Sequence, residues 1–150
     1  MRENKITVAQ IDNSILLDRA HSFSKKGTLK SIDGEYVYLN IEDRYINELF
    51  PLLKDKKATL PKYFSMGIGA HISVIYPEEK SYPIFTPGQV IEFQIQDLFK
   101  AQTKQAIYYV LMVTAPELIN IRHQNNLSNQ LNFNGLMIDT HITIGKYDFF

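Results

Sequence analysis

The sequence predicts an α+β fold, a bilobal unit whose two halves face each other about a pseudo-twofold axis. Three observations carry this reading. The order apolar strand, helix, polar or glycine-bearing loop, strand runs through the chain twice. Each run ends on the same kind of tetrapeptide, His71-Ile72-Ser73-Val74 and His141-Ile142-Thr143-Ile144. The two histidines lie 70 residues apart and the apolar strands centred near Tyr38 and Val110 lie 72 apart, so the repeat involves more than the tetrapeptides. Elements with one apolar face must bury it against each other, and two such halves do so as a layered α+β unit. The expected organisation is a single domain, with one lobe at about 1–76, a linker at about 77–88 and a second lobe at about 89–150.

In chain order, Ile15, Leu16, Arg19 and Ala20 behind the potential caps Asp12 and Asn13 predict a short helix between Asp12 and Ser24. Gly27 and Asp33-Gly34 read as turns. The aromatic and β-branched run from Glu35 to Ile41 reads as a strand. Ile46, Leu49, Phe50 and Leu53 recur at helical spacing, with Pro51 ending or kinking the helix. A basic loop, Lys54 to Lys57, and the glycines 67 and 69 lead into the strand at His71, closed by Pro77. Prolines 77, 83 and 87 with Gly88 mark the linker. Val90 to Leu98 alternates apolar with polar residues, a strand with one wet face, and Ile107 to Val113 is the near-continuous apolar run of a central strand. Thr114 is expected to cap a helix with Pro116 in its first turn, and the Asn-rich stretch Asn125 to Asn134 reads as a loop before the last strand.

Composition narrows the function classes. Sixteen basic residues balance sixteen acidic ones, so long-range steering to a duplex or an anionic membrane is not expected and any anionic substrate must be recognised locally. With no cysteine there is no disulfide framework and no thiolate metal cage. Met1-Arg2-Glu3-Asn4-Lys5 leads into no apolar run of signal-peptide length. The expectation is a soluble, cytoplasmic monomer without membrane contact, although export by a signal-less route would leave no mark.

The chemistry lies in the tetrapeptides. Side chains alternate along a strand, so His71 and Ser73 face one way and Ile72 and Val74 the other, and the same holds for His141 and Thr143 against Ile142 and Ile144. Two such tetrapeptides among four histidines is a coincidence at the level of about a few per thousand if positions are independent. Two imidazoles on opposite sides of a phosphoryl group can act as base and acid near neutrality, and two hydroxyls can hydrogen-bond its non-bridging oxygens. Strict alternation puts Gly145 on the face of His141 and Thr143, where a ligand could approach the backbone. Asp139 shares that face and could orient His141 or raise its pKa, or stand solvated at the strand start.

These motifs resemble those of the two-histidine (2H) phosphoesterases, the superfamily of RNA 2′,3′-cyclic phosphodiesterases and 2′,5′-phosphodiesterases, marked by paired His-x-Thr/Ser motifs between apolar residues. Thr140 to Lys146 is close to the second motif, and Lys146 stands where a basic residue often follows it. Glu117-Leu118 through Arg122 resembles the helix before that motif, while Ser73 stands where threonine is commoner. The resemblance runs from about Tyr36 onward; residues 1–34 show nothing similar. It implies antiparallel sheets lining a central groove, His71 and His141 as catalytic acid and base in either assignment, and Ser73 and Thr143 holding the phosphate. It implies no metal and no cofactor. The implied substrate is a nucleotide, oligonucleotide or RNA end with a 2′,3′-cyclic phosphate, a 2′,5′ linkage or a cyclic backbone.

Tyr76, Lys146 and Gly145 are the further candidates for substrate contact. Tyr63, Phe64, Tyr147, Phe149 and Phe150 also lie near a motif and could stack a base, an interaction worth about 1–3 kcal/mol. The loop Lys54-Asp55-Lys56-Lys57 reads as solvated, with contact to a phosphate backbone as the alternative. His21 and His123 lack the motif and read as surface residues. No His-Glu-x-x-His or Cys-x-x-Cys spacing suggests zinc, and Gly67-Ile68-Gly69 lacks the third glycine and the helix of a dinucleotide fingerprint. Two other classes compete: a nucleotide- or RNA-binding module of the same fold without turnover, and a protein-interaction domain with incidental histidines.

Overall fold

The computed structural model describes residues 6–61, 68–133 and 135–149. The elements run β1 (Thr7–Gln10), α1 (Ser14–His21), β2 (Lys26–Ile32), β3 (Tyr36–Asn40), α2 (Arg44–Asn47), a 3-10 turn at Phe50–Leu52, β4 (His71–Ile75) and β5 (Val90–Glu92). They continue with β6 (Gln94–Gln102), β7 (Ala106–Thr114), α3 (Pro116–Gln124), the hairpin β8 (Leu131–Phe133) and β9 (Leu136–Ile138), and β10 (His141–Asp148). Mostly antiparallel sheet with three helices among the described residues, this is an α+β fold.

Eight strands form one sheet in the order β1-β6-β7-β10-β4-β3-β2-β5. Its two halves are joined at the centre by the pairing of Ile142 on β10 with Ile72 on β4, and β8 and β9 form a separate two-stranded sheet. Strands do not stay with the half of the chain they come from. β1 pairs with β6, and β5 pairs with β2, so the first strand of each half completes the edge of the other. This exchange explains why the alternating run from Val90 to Leu98 is two strands: the chain changes partner from β2 to β7 at Phe93, which is buried.

All three helices lie on one face. Leu16 and Ala20 from α1, Ile46 from α2 and Leu118 from α3 share a core with Ile72 and Ile142 from the central strands. The expected cap of α1 is Asn13, whose side chain accepts from the Leu16 amide at 3.2 Å and donates to the Leu52 carbonyl at 3.0 Å. A cap of this kind is worth about 1 kcal/mol. The expected helix around Ile46 to Leu53 shrinks to one turn and a 3-10 turn, because Pro51 has no amide to continue it. Thr114 does not cap α3. It belongs to the β7 ladder opposite Gln94, and Ala115 takes the cap position without a side-chain bond.

The opposite face carries a smaller apolar cluster, with Val110 and Met112 from β7 under Leu131 and Ile138 of the β8–β9 hairpin. The hairpin's first strand lies within the stretch Asn125 to Asn134 read from sequence as a loop, and its second follows that stretch. Its three-residue strands are too short to show a period. Among the described residues no helix is long and apolar enough to cross a membrane.

Candidate active site

β4 and β10 lie side by side at the sheet centre, and their first residues are the two histidines. With Ile72 paired to Ile142, extending the antiparallel register by one residue each way sets His71 opposite Thr143 and Ser73 opposite His141. Each imidazole therefore faces the other motif's hydroxyl. Diagonal positions on a regular antiparallel ladder are about 7–8 Å apart, a span that admits one phosphate group between two rings. The four side chains line one cavity of about 240 Å³.

Each ring is held in the same way. His71 Nδ1 donates to the Gly69 carbonyl at 2.9 Å, and His141 Nδ1 donates to the Asp139 carbonyl at 2.7 Å, both two residues upstream. A carbonyl only accepts, so the neutral ring carries its proton on Nδ1 and its basic lone pair on Nε2. Gly69 adopts a φ of +79°, and its backbone carbonyl is delivered by a conformation that favours glycine. Asp139 thus orients His141 through its main chain, while its exposed carboxylate bonds Gln130.

Burial holds the pKa of both histidines below the ordinary 6.5, partly offset by the carbonyl bonds. At His141 the charge of His71 lowers it further, and the Asp139 carboxylate opposes this.

A family model described as 2H-SAK, Swiss Army Knife, 2H phosphoesterase domain, matches residues 37–149. The chain belongs to the 2H phosphoesterases. No curated protein and no solved structure matches it. The match begins within β3, so β1, α1 and β2 lie outside it, in the segment that showed no resemblance in sequence.

Both motif strands of this 2H domain carry a β-bulge one residue beyond the hydroxyl. On β4 the register steps between Val37 and Tyr38, opposite Ile75 and Ser73, so Val74 is the extra residue. On β10 it steps between Thr143 and Gly145, opposite Val110 and Tyr109, so Ile144 is extra. A bulge puts two successive residues on one face and inverts the alternation after them. Val74 and Ile75 both point into the helix-side core. Ile144 is buried there too, and a Cβ on Gly145 would lie 2.8 Å from Leu53 Cδ1 and 3.4 Å from Phe50.

Gly145 therefore faces the helix side of the sheet and does not line the cavity. It makes room for the 3-10 turn on the opposite face, and strict alternation misplaced it. The same shift brings Tyr76 and Lys146, again 70 residues apart, onto the cavity face, and both line the cavity. Gly145→Val is expected to cost about 1–3 kcal/mol of stability by overpacking, measured by chemical denaturation, while ligand affinity at the cavity is unchanged.

Of the other aromatic residues considered from sequence, Tyr147 packs on Phe149 and Lys57 lies over the Tyr147 ring. Neither aromatic lines the cavity. Tyr63, Phe64 and Phe150 lie outside the described residues, as does Gly67. The basic loop bonds the helix-side face through Asp55, whose carboxylate accepts from the Tyr109 hydroxyl and is held below the usual carboxylate range. His21 and His123 are exposed on α1 and α3.

Aromatic neighbours that sequence reasoning left unassigned surround His71. The Tyr38 ring lies 5.7 Å from it and Tyr36 6.2 Å, and Tyr36 stacks on Tyr76 at 5.7 Å. The Tyr36 hydroxyl is 2.5 Å from Ser73 Oγ, so the motif serine enters the site already hydrogen-bonded. Alternation in the run Tyr36 to Leu39, once paired with the motif strand, would have identified these two tyrosines.

Proposed function

We propose that this chain is a metal-independent phosphodiesterase acting on a nucleotide or RNA phosphodiester, whether a 2′,3′-cyclic phosphate, a 2′,5′ linkage or a cyclic oligonucleotide. The observation that carries the reading is the matched pair of imidazoles, each oriented through Nδ1 by the carbonyl two residues upstream and each across from a hydroxyl. One histidine takes the proton of a water, or of a ribose hydroxyl, as it attacks phosphorus. The other gives a proton to the departing oxygen. Ser73 and Thr143 hold the non-bridging oxygens, and Tyr76 and Lys146 reach the rest of the substrate.

We also read the fold as a duplicated, pseudo-twofold unit with the cavity at its axis. The pairings support this: Leu39 with Ile72 corresponds to Leu111 with Ile142, and Tyr38 with Ser73 to Val110 with Thr143. Each is displaced by 72 residues on one strand and 70 on the other, and the bulge follows the same offset.

The test is a panel of 2′,3′-cyclic nucleotides, 2′,5′-oligoadenylates, cyclic dinucleotides and RNA with cyclic ends, assayed with EDTA. Cleavage of at least one class, unchanged by the chelator, is expected. Tight binding without cleavage would instead favour the binding module, and loss of activity on chelation a metal enzyme.

A further inference from the structure

Arg122 lies on α3 with only 1% of its side chain exposed, and Glu79, in the turn after β4, is equally covered at 4%. The guanidinium grips both carboxylate oxygens, at 2.8 and 2.9 Å. It also donates to the carbonyls of Val74, Ser128 and Gln130, each at 2.7 Å. Glu79 in turn accepts from the amides of Tyr76, at 3.0 Å, and Asn132, at 2.8 Å. These backbone groups fall into two sets. Val74 and Tyr76 are the extra residue of the β4 bulge and the residue that the bulge turns into the cavity. Ser128, Gln130 and Asn132 lead into and belong to the β8–β9 hairpin, whose Phe133, Leu136 and Ile138 wall the cavity.

Neither charged residue is among those lining the cavity, and each histidine ring donates through Nδ1 to its own upstream carbonyl. A buried ion pair is a poor source of stability, since well-packed apolar residues often replace one without loss. Its geometric content is what apolar residues cannot reproduce. We propose that Glu79 and Arg122 are positioning residues that set substrate affinity, clamping the β8–β9 wall and Tyr76 in register with the motif strands while leaving the chemical step to the histidines. This rests on the reading of the cavity as the substrate site.

The deciding variant is the double substitution Glu79→Leu with Arg122→Met, which removes both charges together and keeps a packed interior. It is expected to raise KM by about tenfold or more, with kcat within about twofold of wild type and an unshifted pH–rate profile. Amide hydrogen exchange over residues 131–138 should be faster than in the wild type. Glu79→Gln, which keeps the volume and one acceptor oxygen, should change both in the same direction by less, and it stands in should the double variant not fold. An unchanged KM, or a fall in kcat at unchanged KM, overturns the proposal. The exchange measurement needs no substrate. A wild type that cleaves nothing therefore sinks the phosphodiesterase reading alone, and unchanged exchange sinks the clamp.

Discussion

Substituting alanine for His141 or for His71 should each lower kcat by about 10²–10⁴-fold, the usual contribution of a positioned acid or base. Each ring bonds the carbonyl two residues upstream on its own segment, and circular dichroism of each variant separates a loss of activity from a loss of fold. The losses should be far from additive in the double variant, the behaviour of an acid and a base that act in one step. The pH profile follows from the site's electrostatics. Burial holds the pKa of both free imidazoles below the ordinary 6.5, so a step that uses one imidazole and one imidazolium should be most efficient, in kcat/KM, on the acid side of neutrality. A bound phosphodiester anion favours the imidazolium, so the kcat profile should lie at higher pH than the kcat/KM profile. Full activity in either alanine variant, or a rate flat across pH 5 to 8, would remove the acid–base assignment.

Removing Arg122 alone should be the most damaging single change to stability. Arg122→Leu leaves the Glu79 carboxylate buried with two backbone amides as its remaining donors and orphans three carbonyls. Breaking a buried pair in this one-sided way costs about 3–5 kcal/mol. For a chain of this size that corresponds to a fall in Tm of roughly 6–20 °C, readable by calorimetry. The paired Leu and Met variant should recover much of this, because no charge is then left unpartnered. If the single variant melts with the wild type, the ion pair is not the anchor that its bonds describe.

The two motif strands are legible in the sequence. The repeated His-x-Ser/Thr tetrapeptide singles out His71, Ser73, His141 and Thr143, and period-two alternation puts each pair on one face of a strand; β4 and β10 do begin at the two histidines, and all four side chains line one cavity. Alternation failed beyond the hydroxyls. A bulge is a property of two strands paired out of step, and nothing local to Ile144 or Gly145 announces it. Hence Gly145 was assigned to the wrong face, while Tyr76 and Lys146 reach the cavity only because the bulges carry them there. Arg122 escaped for a similar reason. In sequence it marks only the helix before the second motif, and its partners are Glu79 and Val74, 43 and 48 residues upstream, and Ser128 and Gln130 in the loop after the helix.

The sequence by itself determined the two motifs and the strands that carry them, and with them the membership of this chain in the 2H phosphoesterases, because hydrophobic period and residue type are local quantities. Only the tertiary structure decided which residues meet: the exchanged edge strands, the inversion of face after each motif, the hairpin over the cavity and the buried pair that ties it down. Each of these depends on register between segments distant in the chain, set by packing and by where buried backbone groups find partners.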